Sequence, residues 1–261
     1  MKITKILVNS LFCFSILLLT STSFSQGPQQ TSSLKKPLIY QIGQVVHINA
    51  GGPRPLLQAI DALQDKYGWA VDYEDPQYPP SPAGVPSPPS PPNRRHANVS
   101  GVGESAFAVQ FNAPPNGQPD EQSVLTTVVD SYNQSGGAAE FKLLKQDDGT
   151  FAVVGTRVPG SNNENQQPIL DSPINLPTDR RTAHATIALI CQTLSQQSEV
   201  PVTATSANVN ETLRVIVGGN AVPARVLLAR TLQSIGGKPY WRLIYNPDRK
   251  SYELTIANLS Q

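Results

Sequence analysis

The chain has 261 residues, of which 20 are lysine or arginine and 19 are aspartate or glutamate, so its formal net charge is +1. This balance argues against a nucleic-acid-binding protein, because such proteins usually concentrate basic residues on one face. The length is enough for two domains that each bury a modest core.

The N-terminus has the order of segments found in a secretory signal peptide. Lys2 and Lys5 are followed by an apolar run over residues 11–19 and by small residues up to Ser25. The apolar run is too short for a membrane anchor, which needs about 20 apolar residues. We therefore predict a signal peptide over residues 1–25 and a periplasmic or secreted mature chain without a transmembrane segment.

Cleavage after Ser25 would also change the charge and the cysteine content. Removing Lys2 and Lys5 from the 20 basic residues leaves 18 against 19 acidic residues. Cys191 becomes the only cysteine, so no internal disulfide can form. Its place on the apolar side of a predicted helix favours a small buried hydrophobe over a reactive thiol.

The first predicted module covers residues 38–156 and follows a polar, flexible lead over residues 26–37. Apolar alternation over residues 38–48 predicts one strand or two short ones. An amphipathic helix follows and ends at Gly68; its apolar positions recur every three or four residues (Leu56, Leu57, Ile60, Leu63 and Tyr67). A further strand begins at Trp69.

Residues 75–93 interrupt this module with a run of prolines and serines. Proline lacks the N–H group that a sheet requires, so we predict an extended, solvated insertion of polyproline type. Such a tract could contact the cell wall, which would make the protein a structural spacer. The strand pattern resumes over residues 106–111.

A helix, a double glycine and two strands close the first module. The helix carries one apolar face (Val124, Leu125, Val128, Val129 and Tyr132) and ends at Gly136-Gly137. Strands over residues 141–144 and 151–154 flank a turn. A linker rich in asparagine and glutamine follows over residues 157–168.

The second predicted module covers residues 169–257. It begins with a strand over residues 169–176, after which Thr178 or Asp179 can cap a helix. That helix places four apolar side chains on one face (Ile187, Ile190, Cys191 and Leu194).

The last stretch, residues 223–256, repeats the order of signals found at residues 121–154. Two strands, over residues 200–205 and 213–217, lead into it. Pro223 suits the first turn of a helix. An apolar stripe then recurs at helical spacing (Val222, Val226, Ala229, Leu232 and Ile235) and ends at Gly236-Gly237.

Each half therefore has the order strand, helix, strand, strand, helix, strand, strand. A repeated order of elements predicts a duplicated unit. Helices packed on one face of a small mixed sheet are the expected arrangement for such a unit. We predict an α+β fold made of two tandem αβ modules.

Four segments of the second half resemble the short N-terminal domain of secretins and TonB-dependent receptors. They are Ile174-Asn175-Leu176-Pro177, Leu213-Arg214-Val215-Ile216-Val217 with the helix after Pro223, Tyr240-Trp241-Arg242-Leu243 and Tyr252-Glu253-Leu254-Thr255-Ile256. The resemblance covers residues 169–257 and, more loosely, residues 38–155. It implies a soluble periplasmic docking module, and therefore a cell-envelope protein as partner. No transmembrane barrel follows, so the identity of the partner and the oligomeric state stay open.

No catalytic, cofactor-binding or metal-binding residue is predicted. Residues 101–106 spell a dinucleotide-binding fingerprint, but that motif requires a strand before it and a helix after it. Here a proline-rich loop precedes the motif and a strand follows it. His47, His96 and His184 lie at no ligand spacing from another histidine, a cysteine or a carboxylate.

The predicted function is that of a non-catalytic envelope module to which a protein or peptide adds a strand at an exposed sheet edge. The alternative is an exported hydrolase of cell-wall or other polymer that uses Asp72, Glu74 and His96 near the proline-rich insertion. Asp75 belongs to the same acidic cluster. For that cluster a solvated strand end is favoured over catalysis or calcium binding.

Overall fold

The computed structural model describes residues 38–79, 105–114, 117–160, 166–206 and 212–259. The predicted signal peptide and lead, His96, the fingerprint glycines and the proline-rich insertion beyond Pro79 lie outside these residues. The described residues belong to one compact unit.

The described residues form four α-helices, eleven strands and one short 3₁₀ helix. The helices are α1 (Pro55–Tyr67), α2 (Glu121–Gln134), α3 (Ala183–Ser198) and α4 (Ala224–Gln233), and the 3₁₀ helix is Ile169–Asp171. The strands are β1 (Leu38–Ile42), β2 (Val45–Gly52), β3 (Val71–Glu74), β4 (Ser105–Asn112), β5 (Glu140–Lys145), β6 (Phe151–Arg157), β7 (Pro173–Thr182), β8 (Val202–Ser206), β9 (Arg214–Pro223), β10 (Pro239–Asn246) and β11 (Ser251–Asn258). The predicted α+β class is confirmed.

Three sheets hold these strands. The largest has six strands in the order β5-β6-β3-β10-β11-β8, and the others have the orders β1-β2-β4 and β7-β9. Strand β3 pairs in parallel with β10, so the large sheet runs through both halves of the sequence. The prediction of two tandem modules is not confirmed, since one sheet and one compact unit contain both halves.

The pattern of strand pairs nevertheless recurs along the chain. Within the first half, β2 pairs with β4 antiparallel, β3 with β6 parallel, and β5 with β6 antiparallel. Within the second half, β7 pairs with β9 antiparallel, β8 with β11 parallel, and β10 with β11 antiparallel. The same three pairings therefore appear twice, in the same order.

The first two helices begin and end where local chemistry predicts. Pro55 occupies the first turn of α1, and Gly68 ends the helix with a left-handed φ of 69°. Helix α2 begins after Asp120, whose carboxylate accepts a hydrogen bond of 2.8 Å from the Ser123 amide. The predicted apolar face of α2 is buried throughout, whereas on α1 Leu57 and Tyr67 of the predicted face are only half-buried.

In the second half, two details of the prediction are wrong. Residues 169–171 are a 3₁₀ helix rather than the start of a strand, and β7 extends to Thr182. Thr182, not Thr178 or Asp179, caps α3, because its hydroxyl accepts a hydrogen bond of 3.1 Å from the Ala185 amide. Pairing with the ten residues of β9 holds Thr178 and Asp179 in the strand.

Helix α4 buries a stripe that shares only Leu232 with the predicted one. Its buried apolar residues are Ala224, Leu227, Leu228 and Leu232, whereas Val226 and Ala229 are only half-buried. Both stripes have helical spacing, so spacing alone could not choose between them. Helix α4 contacts β9, α3 and β10, and this packing buries the stripe that carries Leu227 and Leu228.

The first residues of the proline-rich insertion are buried rather than solvated. Asp75 and Tyr78 are 1% and 4% exposed, and Pro76 is also buried. Pro76 lies directly against Gly155 of β6, where a Cβ atom would overlap the proline ring and its backbone nitrogen. Glycine at this position lets the chain leave β3 across the neighbouring strand.

One hydrophobic core joins both halves. Its fully buried large side chains include Tyr73 and Ile60 from the first half and Trp241 and Ile190 from the second. No helix in the described part of the chain is long and apolar enough to cross a bilayer.

Candidate functional site

The predicted acidic cluster lies on β3, in the interior of the six-stranded sheet. Strand β3 has a parallel neighbour on each side, β6 and β10. Asp72, Glu74 and Asp75 are 6%, 0% and 1% exposed, so the prediction of a solvated strand end is wrong. A buried carboxylate needs hydrogen bonds or a countercharge, and each of the three has them.

Glu74 is neutralised by an arginine from the second half. The Arg225 Nη2 atom of α4 donates to Glu74 Oε2 at 2.5 Å, and Arg225 Nε donates to Asp171 at 2.7 Å. The Leu170 amide donates to the other carboxylate oxygen at 3.2 Å. Burial raises the pKa of Glu74, and the Arg225 guanidinium offsets part of that rise.

Asp75 has a second arginine. Arg54, just before α1, donates to Asp75 Oδ2 at 2.7 Å and to the Tyr245 carbonyl at 2.7 Å. The Tyr73 hydroxyl and the Tyr245 amide donate to the Asp75 carboxylate at 2.8 and 3.1 Å. Burial raises the pKa of Asp75, and Arg54 offsets part of that effect. Glu74 and Asp75 therefore join β3 to the neighbouring β10 and α4.

Asp72 has no such direct ion pair with any residue that the structure describes. Its Oδ1 accepts from the Trp241 amide at 2.9 Å and its Oδ2 from Gln146 Nε2 at 2.6 Å. Burial raises the pKa of Asp72 to about 7, although these two hydrogen bonds oppose the rise. Near neutral pH the carboxyl group is thus divided between its two protonation states.

Asp72 also lines a pocket of about 600 Å³. The walls come from the end of α1, the start of α2, the turn between β5 and β6 and the end of α4. Polar lining residues include Gln118, Glu121, Gln146, Asp148 and Lys238. Burial raises the pKa of Glu121, and the positive charge of Lys238 offsets part of that rise.

Two aromatic residues of the same wall carry donors without partners. Trp241 is 1% exposed, and its Nε1 has no hydrogen-bond partner among the described residues. The Tyr67 hydroxyl also has no hydrogen-bond partner among these residues. The Tyr67 ring stacks on the Trp69 ring, with 4.7 Å between the ring centroids. Both donor atoms are buried within the wall, so the groups that the pocket offers to a polar ligand are the amides and carboxyl groups of its other lining residues.

The six-stranded sheet ends in β5 on one side and in β8 on the other. In the described part of the chain, β5 pairs only with β6 and β8 only with β11. An edge strand presents free N–H and C=O groups to which another strand can add. These two edges are the second candidate site.

The remaining predicted residues are not brought together. His47 of β2 stacks on Tyr40 at 4.9 Å, and His184 lies exposed on α3. Cys191 is buried, and burial raises the pKa of its thiol to about 12. The described residues contain no cluster of three or more histidine, cysteine or acidic residues that could hold a metal ion.

Comparison with protein-family models, curated proteins and solved structures gives no match to this chain. The resemblance to the short N-terminal domain of secretins and TonB-dependent receptors stays a prediction. Any functional conclusion therefore depends on three features: the acidic junction, formed by Glu74 and Asp75 with their arginine partners, the pocket, and the two sheet edges.

Proposed function

We propose that the protein is an exported, non-catalytic module of the cell envelope that binds an extended protein segment by strand addition. The signal-peptide pattern of residues 1–25 supports export. The observation that carries the binding mode is the open β5 edge, which lies beside a groove.

The backbone of β5 shows which groups face outward. Both the N–H and the C=O of Phe141 bond to the side chain of Asn133, at 2.9 and 2.8 Å, rather than to β6. Alternate residues of a strand direct their backbone groups to the same side. The N–H and C=O groups of Leu143 and Lys145 therefore also point away from β6 and are available to an added strand.

The groove next to this edge provides for side chains. It has a volume of about 410 Å³ and lies between α2 and β5. Its apolar wall consists of Val129, Phe141, Leu143 and Phe151. Binding by strand addition uses main-chain hydrogen bonds for affinity and such grooves for the alternate side chains of the peptide.

The acidic junction supports a non-catalytic function. Glu74 and Asp75 are each bonded to an arginine and to backbone amides, which leaves them no free geometry for acid–base chemistry. Both carboxylates instead hold the first half against the second, since Glu74 bonds to Arg225 of α4 and Asp75 bonds to the Tyr245 amide of β10.

A phage-displayed library of random peptides tests this function on the purified protein. Leu143→Pro removes one outward N–H without touching the ladder to β6, and proline is tolerated on edge strands. We expect selected peptides to bind this variant about tenfold more weakly, since a main-chain bond is lost and the ring obstructs the edge. Ala204→Pro makes the same chemical change on the opposite edge and should leave binding intact.

Hydrogen exchange gives an independent check on the native protein. In protein dilute enough to be monomeric, a bound peptide should slow exchange of the Leu143 and Lys145 amides and should leave the amides of β8 unchanged. Selected peptides that bind Leu143→Pro as tightly as the unmodified protein, with no protection of β5, would refute the proposal.

Hydrolysis is a second candidate, favoured by one observation. Asp72 lines the pocket with a pKa of about 7, the range in which a general acid or base works near neutral pH. Purified protein incubated with peptidoglycan sacculi should then release soluble fragments, and Asp72→Asn should not. Absence of release by the unmodified protein removes this candidate.

A further inference from the structure

Inside the six-stranded sheet, the pairing of β3 with β10, here called the internal junction, shows how one half of the repeated pattern joins the other half. Strand β3 occupies the same place in its half as β8 does in the other, because each pairs in parallel with the last strand of its half. Strand β5 corresponds in the same way to β10. In the sheet, the pair β3–β10 therefore joins the three strands of the first half, β5-β6-β3, to the three strands of the second half, β10-β11-β8.

The two strands left at the sheet edges are one of each kind. The sheet order β5-β6-β3-β10-β11-β8 starts with a strand of the β10 type and ends with a strand of the β3 type. Edge strand β5 corresponds to β10, and edge strand β8 corresponds to β3. Strands β3 and β10 already pair with each other inside the sheet. Such edges match between two copies head to tail, in the heterologous manner, and not through a two-fold axis.

Local landmarks align the residues. Gly68 and Glu199 both end a helix in the left-handed region, with φ of 69° and 58°, so that Tyr73 corresponds to Ala204. Gly136 and Gly236 have φ of 71° and 79° and are a hundred residues apart, which places Leu143 at the position of Leu243.

The internal junction uses few backbone groups. Tyr73 lies opposite Arg242 and Glu74 opposite Leu243, and the Asp75 amide donates to the Leu243 carbonyl at 2.9 Å. By the alignment, a junction of the same kind between two copies would place Ala204 opposite Lys142 and Thr205 opposite Leu143. The Ser206 amide would then donate to the Leu143 carbonyl.

Side chains cover the first outward position of each edge, and none of the described residues covers the next ones. On β8 the Ser195 hydroxyl accepts from the Val202 amide at 2.8 Å and shares its one hydrogen between the Cys191 carbonyl at 2.8 Å and the Val202 carbonyl at 3.2 Å. On β5 the Asn133 side chain bonds both the N–H and the C=O of Phe141. The uncovered positions, Ala204 and Ser206 on β8 and Leu143 and Lys145 on β5, correspond to those used in the internal junction.

We infer that the partner at these edges is a second copy of this chain, with β8 of one copy adding in parallel to β5 of the next. The inference rests on the proposed function and names its partner. The sequence of β8 (Val202–Ser206) has no charged residue, so Lys142 and Lys145 of β5 meet no like charge.

The contact between copies lacks the buried ion pairs of the internal junction. The counterpart of Glu74 is Thr205, and the counterpart of Arg225, a hundred residues earlier, is the buried Leu125. Association is therefore reversible and rises with protein concentration, unlike the pairing of β3 with β10 inside the chain.

Sedimentation velocity on two proline variants tests the head-to-tail arrangement. Ala204→Pro disables the β8 edge and keeps β5, whereas Leu143→Pro disables β5 and keeps β8. Each variant alone should be monomeric, and a mixture of the two should form a one-to-one dimer through the two intact edges. Dimers of either variant alone would show a symmetric contact and overturn the inference.

Disulfide trapping reports the register without relying on proline. In a Cys191→Ser background, Lys142→Cys combined with Ala204→Cys should give a ladder of linked chains on oxidation, because paired residues on adjacent strands lie within disulfide reach. Lys142→Cys combined with Thr203→Cys puts the second thiol on the other face of β8 and should give no ladder.

The outcomes separate this inference from the proposed function. An unmodified protein that stays monomeric at all concentrations and forms no ladder, yet binds selected peptides at β5, disproves self-association alone. Loss of peptide binding as well removes the proposed function.

Discussion

Replacing Asp72 with asparagine should weaken the dependence of stability on pH. The carboxyl group is 6% exposed, and burial raises its pKa from 3.8 in the unfolded chain to about 7 in the folded protein. A raised folded-state pKa means that the folded protein binds the proton more tightly than the unfolded chain does. The stabilisation by this proton is complete below about pH 4 and is lost as the pH rises through 7.

These two pKa values set the magnitude. Between about pH 5 and about pH 8, linkage gives a loss of about 2–3 kcal/mol in the free energy of unfolding from Asp72 alone. Asparagine does not titrate, and its carbonyl oxygen can still accept from the Trp241 amide. The Gln146 side chain can turn its amide over to present its oxygen to the new donor. Glu74 and Asp75, whose pKa values burial also raises, leave a smaller slope of the same sign.

Urea denaturation at a series of pH values, followed by tryptophan fluorescence, measures this effect. The stability of Asp72→Asn relative to the unmodified protein should increase by about 2–3 kcal/mol from about pH 5 to about pH 8. Asp130→Asn, which removes an exposed carboxylate on α2, is the matched control and should keep the original slope. A relative stability of Asp72→Asn that is constant with pH would show that Asp72 does not titrate in this range.

Four further predictions concern stability and reactivity. Arg225→Met should destabilise the protein by about 3–5 kcal/mol in urea, because it strands the Glu74 charge, and adding Glu74→Gln should recover most of the loss; strictly additive effects would contradict this. Gly155→Ala should cost about 1–3 kcal/mol, since its Cβ overlaps Pro76, and an unchanged Tm would contradict that contact. Asn133→Ala should cost about 1–2 kcal/mol and speed amide exchange at Phe141, whereas unchanged exchange would mean that the Asn133 bonds do not form in solution. Cys191, with a pKa of about 12, should resist iodoacetamide at neutral pH until the protein unfolds; rapid labelling of the folded protein would show that the thiol is accessible.

Much of the fold can be predicted from the sequence, because the signals that start and end its helices and strands are local. Gly68 and Gly136 end helices through their own backbone conformations, with φ of 69° and 71°. The apolar face of α2, through Leu125 and Val128, follows from helical spacing alone. Local signals of this kind establish the order of helices and strands and the α+β class.

Local signals did not settle the choice between equivalent patterns. Helix α4 has one stripe through Val226 and Ala229 and another through Leu227 and Leu228, and packing buries the second. Thr182 rather than Thr178 caps α3, because pairing with β9 keeps the strand going for four more residues. In each case a contact distant in sequence decided between two locally acceptable outcomes.

Local patterns in the chain are enough to predict which elements form and that their order is repeated. The pairing of β3 with β10, and with it the roles of Asp72, Glu74 and Asp75, depends on contacts between distant segments. Whether a carboxylate is solvated, paired or titrating near neutral pH depends on burial and on countercharges. For Glu74 the countercharge is Arg225, 151 residues away in the chain, which no local pattern can indicate.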